Sequence, residues 1–116
     1  MKEQIITLAE EVFNTLHCGL PERSYHNAME VQLRLNGISY ETERVIQLIF
    51  KDHVIGYTRA DLLVNNSVVV ELKSTSKIKN DHIEQCKRYM KLLNYKEGLV
   101  INFPEVGTEI QIVEIE

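Results

Sequence analysis

Residues 59–73, Arg59-Ala60-Asp61-Leu62-Leu63-Val64-Asn65-Asn66-Ser67-Val68-Val69-Val70-Glu71-Leu72-Lys73, read as two strands joined by a turn. Leu62-Leu63-Val64 and Val68-Val69-Val70 are apolar without a break, as in strands covered on both faces, and Asn65-Asn66 is a turn pair. Side chains alternate along a strand, so Glu71 and Lys73 project together while Val68, Val70 and Leu72 go the other way. A three-residue loop of Asn65, Asn66 and Ser67 pairs Val64 with Val68 and sets Asp61 opposite Glu71. A two-residue turn would put the two acids on opposite faces, unless a bulge corrected it. An acid and a base inside an apolar strand cost stability unless something binds them. Neighbouring carboxylates repel, and a divalent cation with oxygen ligands relieves that repulsion. A lysine beside them can orient or deprotonate an attacking water, or stabilise charge building on a phosphate. The plainer reading of the same residues is a Glu71–Lys73 ion pair on an exposed sheet face, worth little.

Working outward, residues 3–17 carry Ile5, Ile6, Ala9, Val12, Phe13 and Leu16 at offsets of three and four, which predicts an amphipathic helix stopped at Gly19. Pro21 opens a second helix through Tyr25, Ala28, Met29, Gln32 and Leu35, closed by Asn36-Gly37. Strands are predicted over 43–50, 55–64 and 67–73, with a turn at Asp52-His53. Asp81 is the predicted cap of a helix reaching about Asn94, and residues 98–103 and 109–115 are the last strands. The order is helix, helix, three strands, helix, two strands: α+β, a three-strand antiparallel meander with one crossover helix to further strands.

At 116 residues the chain is a single domain, 1–116, with room for one core. Basic residues number 13 and acidic 17, so bulk positive charge does not drive any contact with nucleic acid, though a bound cation could carry that charge locally. No run approaches a membrane span, and two cysteines, Cys18 and Cys86, form no disulfide framework. A reducing, cytoplasmic location with no membrane contact is the expectation.

Two further segments bear on the chemistry. Gly19-Leu20-Pro21-Glu22-Arg23-Ser24-Tyr25 reads G-x-x-E-x-x-Y, and Gln85-Cys86-Lys87-Arg88-Tyr89 is a Q-x-x-x-Y step on the crossover helix. With Asp61, Glu71, Lys73 and the closing Leu99-Val100-Ile101-Asn102-Phe103, the chain resembles the GxxExxY proteins of the PD-(D/E)XK nuclease-like superfamily. The resemblance spans about Ile5 to Phe103, with Ala60 where the superfamily's name has proline. It implies a restriction-endonuclease-like core, a mixed central sheet flanked by helices. It further implies magnesium or manganese held by Asp61, Glu71, the Leu72 carbonyl and Glu22. Lys73 would be the catalytic lysine, with Gln85 and Tyr89 positioning substrate or metal.

Two functions follow: a metal-dependent nuclease acting on DNA or RNA, or a non-catalytic nucleic-acid-binding or interaction module that keeps the fold. Arg59 is a candidate phosphate contact, or a partner of Glu22 or Asp61. Tyr25 and Tyr89 are candidates for the substrate side, or for packing and hydrogen-bonding the site. His17-Cys18 and His82 with Cys86 lack the spacing of a zinc site, and His26 and His53 read as surface residues. Lys73, Lys77, Lys79, Lys87, Arg88 and Lys91 form a basic track or a solvated helix face. A homodimer is the expectation from the apolar content and the alternating last strand, Ile110 to Ile115.

Overall fold

The computed structural model describes residues 1–116. Its elements are α1 (Lys2–Leu16), α2 (Glu22–Leu35), β1 (Tyr40–Phe50), β2 (His53–Val64), β3 (Val68–Lys73), α3 (Asn80–Leu93), β4 (Glu97–Asn102) and β5 (Gln111–Ile115). The sheet order is β1-β2-β3-β4-β5, antiparallel except for β3 and β4, which α3 connects in parallel. This is the expected mixed sheet with a three-strand meander and one crossover helix.

Each face of the sheet has its own core. Ile5, Ala9, Phe13, Tyr25, Met29 and Leu33 of α1 and α2 pack on Leu62, Val68, Val70, Leu72, Leu99 and Ile101. Cys86, Tyr89 and Met90 of α3 pack on Leu63, Val69, Val100 and Ile115 from the other side. The unbroken apolar runs in β2 and β3 follow from this: alternate residues enter different cores, and both are apolar.

One turn and a helix start differ in detail from the sequence expectation. The β1–β2 turn is Lys51-Asp52, both left-handed at φ 48° and 64°, one residue before the expected pair. Asp52 tolerates that conformation, which is what a two-residue hairpin turn of this hand requires. Between β2 and β3, Asn65 and Asn66 take φ 55° and 53°, the Ser67 N–H bonds the Val64 carbonyl, and Val64 opposes Val68. The expected three-residue spacing is therefore present. Helix α3 starts at Asn80 rather than after Asp81. The Lys79 N–H donates to His82 Nδ1 at 3.1 Å, so a histidine one turn in does the capping, and Asp81 lies in the first turn.

Candidate active site

The β2–β3 ladder runs from the turn through Val64–Val68, Leu63–Val69 and Leu62–Val70, and then stops. At the next level the two strands exchange side chains for backbone. The Asp61 N–H donates to Glu71 Oε2 at 3.0 Å, and the Leu72 N–H donates to Asp61 Oδ2 at 2.8 Å. Each backbone donor freed by the opening of the ladder is thus satisfied by the acid of the other strand.

The opening has a cause in β1 and β2. Thr42 bonds His26 on α2, yet Ile46, four residues on, packs under α3. Likewise Leu62 lies in the α1–α2 core, while Ala60 lies in the α3 core. Alternation therefore fails in both strands at one level, Glu43 and Asp61, where the pairing is interrupted without a shift of register. Glu43 takes φ 51°, uncommon for a residue that is neither glycine nor asparagine, and an ion pair with Arg23 holds it there.

Glu71 is almost wholly buried, and its carboxyl is pushed up to about 9. Burial is the main cause, followed by the charge of Asp61 and side-chain hydrogen bonding to it; the Asp61 N–H and Lys73 act the other way. Lys73, two residues on, donates from Nζ to Gln85 Oε1 at 3.1 Å. Gln85 Nε2 donates to the Tyr89 hydroxyl at 3.1 Å, and that hydroxyl shares a 2.7 Å hydrogen bond with Thr58 Oγ1. Burial raises the Tyr89 phenol further above its ordinary value, so it stays protonated. Three elements thus meet on one chain of bonds, Thr58–Tyr89–Gln85–Lys73, that fixes the ammonium beside the carboxylates. The Lys73 carbonyl accepts from the Phe103 N–H just past β4. On an extended strand the neighbouring residue points the other way, so the Leu72 carbonyl faces β2 beside its own N–H.

The remaining expected residues fall elsewhere. Tyr25 has no surface to offer a substrate: it is fully buried and stacked on Phe103 with ring centroids 4.6 Å apart. Its hydroxyl donates to the His17 carbonyl at 2.6 Å and accepts from the Leu20 N–H at 3.2 Å. The tyrosine of G-x-x-E-x-x-Y therefore clamps the α1–α2 corner onto the end of β4. Tyr89 is also interior, and its hydroxyl reaches Gln85 and Thr58. Glu22 is exposed at the start of α2, in a depression shared with Ser74 and Glu105, and does not join Asp61 and Glu71. No three His, Cys, Asp or Glu side chains gather as a ready cation site. Arg59 is exposed and forms an ion pair with neither Glu22 nor Asp61. His26, expected at the surface, is buried against Thr42 Oγ1 (2.9 Å) and Glu30 Oε2 (3.1 Å). The His26–Glu30 spacing of four residues was its one signal in the sequence. Arg23, Glu43 and Thr58 had none, because each acts through a contact between distant elements.

The donors present fit a hard divalent cation: two carboxyl groups held at one opening of the ladder, the Asp61 charge raising the proton affinity of Glu71, and a backbone carbonyl turned to the same opening. A profile of the PD-(D/E)XK nuclease superfamily matches residues 1–114. No curated protein is a significant match. Among solved structures, the crystal structure of SSO0001 superposes with a TM-score of 0.64 at 23% identity, covering 82% of this chain and 50% of that one. The chain thus spans about half the length of that relative.

Proposed function

This chain belongs to the PD-(D/E)XK nuclease superfamily, and from that premise we propose that it is a divalent-metal-dependent nuclease hydrolysing phosphodiester bonds in nucleic acid. The observation that carries the reading is the buried Glu71 carboxyl locked to Asp61 where the β2–β3 ladder opens, with Lys73 next along the same strand. Asp61, Glu71 and the Leu72 carbonyl would hold magnesium or manganese, while Glu22, apart from them in the depression beside Ser74, is left out of that set. When bound, such an ion supplies charge neutralisation and Lewis-acid polarisation of a phosphoryl oxygen. To serve as a ligand Glu71 would release its proton to solvent, a loss that burial and then the Asp61 charge oppose while no cation is bound. Lys73, held by Gln85, orients the attacking water and offsets negative charge growing on the phosphate. Gln85 and Tyr89 keep that ammonium in place, and Tyr25 holds the α1–α2 corner that carries Glu22.

The test has two parts. Cleavage of single- and double-stranded DNA and RNA is assayed with magnesium and with manganese, and manganese is titrated calorimetrically into wild type, Asp61→Asn, Glu71→Gln and Lys73→Met. Cleavage that requires the metal, binding lost in both acid variants, and binding kept but cleavage lost in Lys73→Met are the expected results. Metal binding unaffected by all three substitutions would leave the chain a non-catalytic module.

A further inference from the structure

Helices α1 and α2 cover the sheet as far as Thr42 and Leu62, but β1 and β2 run on to the tip at Lys51-Asp52. Beyond the level of Glu43 and Asp61, Ile46 packs under α3 and Thr58 bonds Tyr89, so Ile46, Leu48, Gly56 and Thr58 share that side. Alternation sends Val45, Ile49 and Tyr57 to the opposite side, together with Gln47 and Arg59. Val54 pairs with Ile49, and the register shift there makes Ile55 the extra residue of a bulge beside them. These five apolar side chains are between 47% and 66% exposed. They present roughly 500 Å² in one place, the upper end of what monomers leave bare.

We propose that this hairpin face is the docking surface for a second copy of the chain, giving a two-fold dimer. A standard interface buries roughly 800 Å² on each partner; the five apolar side chains supply more than half of that, and the exposed Gln47 and Arg59 flank them. Laid on its own two-fold image it sets apolar against apolar. The polar ends also match: Asp52 lies at the tip, and Arg59, which has no ion pair in its own chain, lies at the base. An axis through the middle of the face brings Asp52 of one copy toward Arg59 of the other. Nucleic acid fits this surface poorly, because four of the five residues are aliphatic and Arg59 is the one cation beside them, Lys51 at the tip lying over the Phe50 ring at 5.5 Å. Strand β5, at the other edge, offers no such surface: Ile110 and Ile112 pack on one core, Val113 on the other, with Ile115 buried in the latter.

Sedimentation equilibrium over a wide micromolar range tests this on wild type, on Ile55→Glu combined with Tyr57→Glu, and on Leu35→Glu, a control at the exposed end of α2. The expected result is a dimer for wild type and control, and the mass halved in the hairpin variant with its circular dichroism unchanged. Should the two glutamates disturb folding, Ile55→Ser with Tyr57→Ser replaces them. Wild type monomeric throughout the range overturns the proposal, as does a dimer that survives the hairpin substitutions. Both readouts are masses, so the result stands whether or not the chain cleaves nucleic acid.

Discussion

Glu71 shows how one side chain couples stability to chemistry. Its carboxyl ionises near 9 in the folded chain against 4.5 ordinarily, so between those values the native state holds a proton that the unfolded chain has released. Native stability from this group is full below the unfolded value, declines as pH rises, and levels off above about 9. The metal-free protein should therefore lose melting temperature from pH 5 to pH 9 relative to Glu71→Gln, which lacks that proton. Parallel pH–Tm curves for the two proteins would remove Glu71 as the cause. Added manganese should raise the wild-type Tm and leave that of Glu71→Gln almost unmoved. Thr58 gives a second prediction at this scale. Thr58→Val removes one of two partners of the Tyr89 hydroxyl, which should cost about 1 kcal/mol by denaturant melting and slow any cleavage by loosening Gln85 and Lys73.

Helix α3 and strand β4 illustrate packing between elements. A Cβ on Gly98 would lie 2.6 Å from Met90 Sδ and 2.8 Å from Cys86 Sγ, so the helix sits as close to the sheet as a bare backbone allows. Gly98→Ala should destabilise by about 1–3 kcal/mol in chemical denaturation, since Met90 can swing aside but Cys86 has little freedom. An unchanged midpoint would mean that the helix shifts without cost. The α1–α2 corner depends on one hydroxyl in the same way. Helix α1 ends with His17 at φ 63°, and Gly19 follows at φ 98°. Tyr25 satisfies the His17 carbonyl and the Leu20 N–H left open there. Tyr25→Phe should cost about 1–2 kcal/mol while leaving the stack on Phe103 intact, because two polar groups lose their partner.

For the whole molecule, the two thiols report on global opening. Cys86 lies buried between α3 and the sheet, its thiol pushed up to about 12, mainly by burial and further by the charge of Glu71. Cys18 is partly exposed in the corner. Native protein should take up one thiol reagent per chain quickly and a second only at the rate of unfolding; fast double labelling would show that α3 detaches locally. The order of elements and the crossover helix were legible in the sequence, because periodicity and turn chemistry are local properties; of the two turn lengths it allowed at Asn65-Asn66, the assembled hairpin takes the three-residue one. Asp61, Glu71 and Lys73 stood out for the same reason: charge in an apolar strand is visible without knowing what lies opposite. Long-range contacts decided the rest. Tyr25 became a clamp because the corner it serves folds back over β4, and His26 became buried because β1 passes beneath α2. The interrupted level at Glu43 and Asp61, which frees the backbone donors that the two acids take up, arises where the β1–β2 ribbon leaves the helices that cover it. Local pattern determines which residues form strands and which carry charge; where a strand stops pairing depends on what packs on each of its faces, and only the assembled sheet decides that.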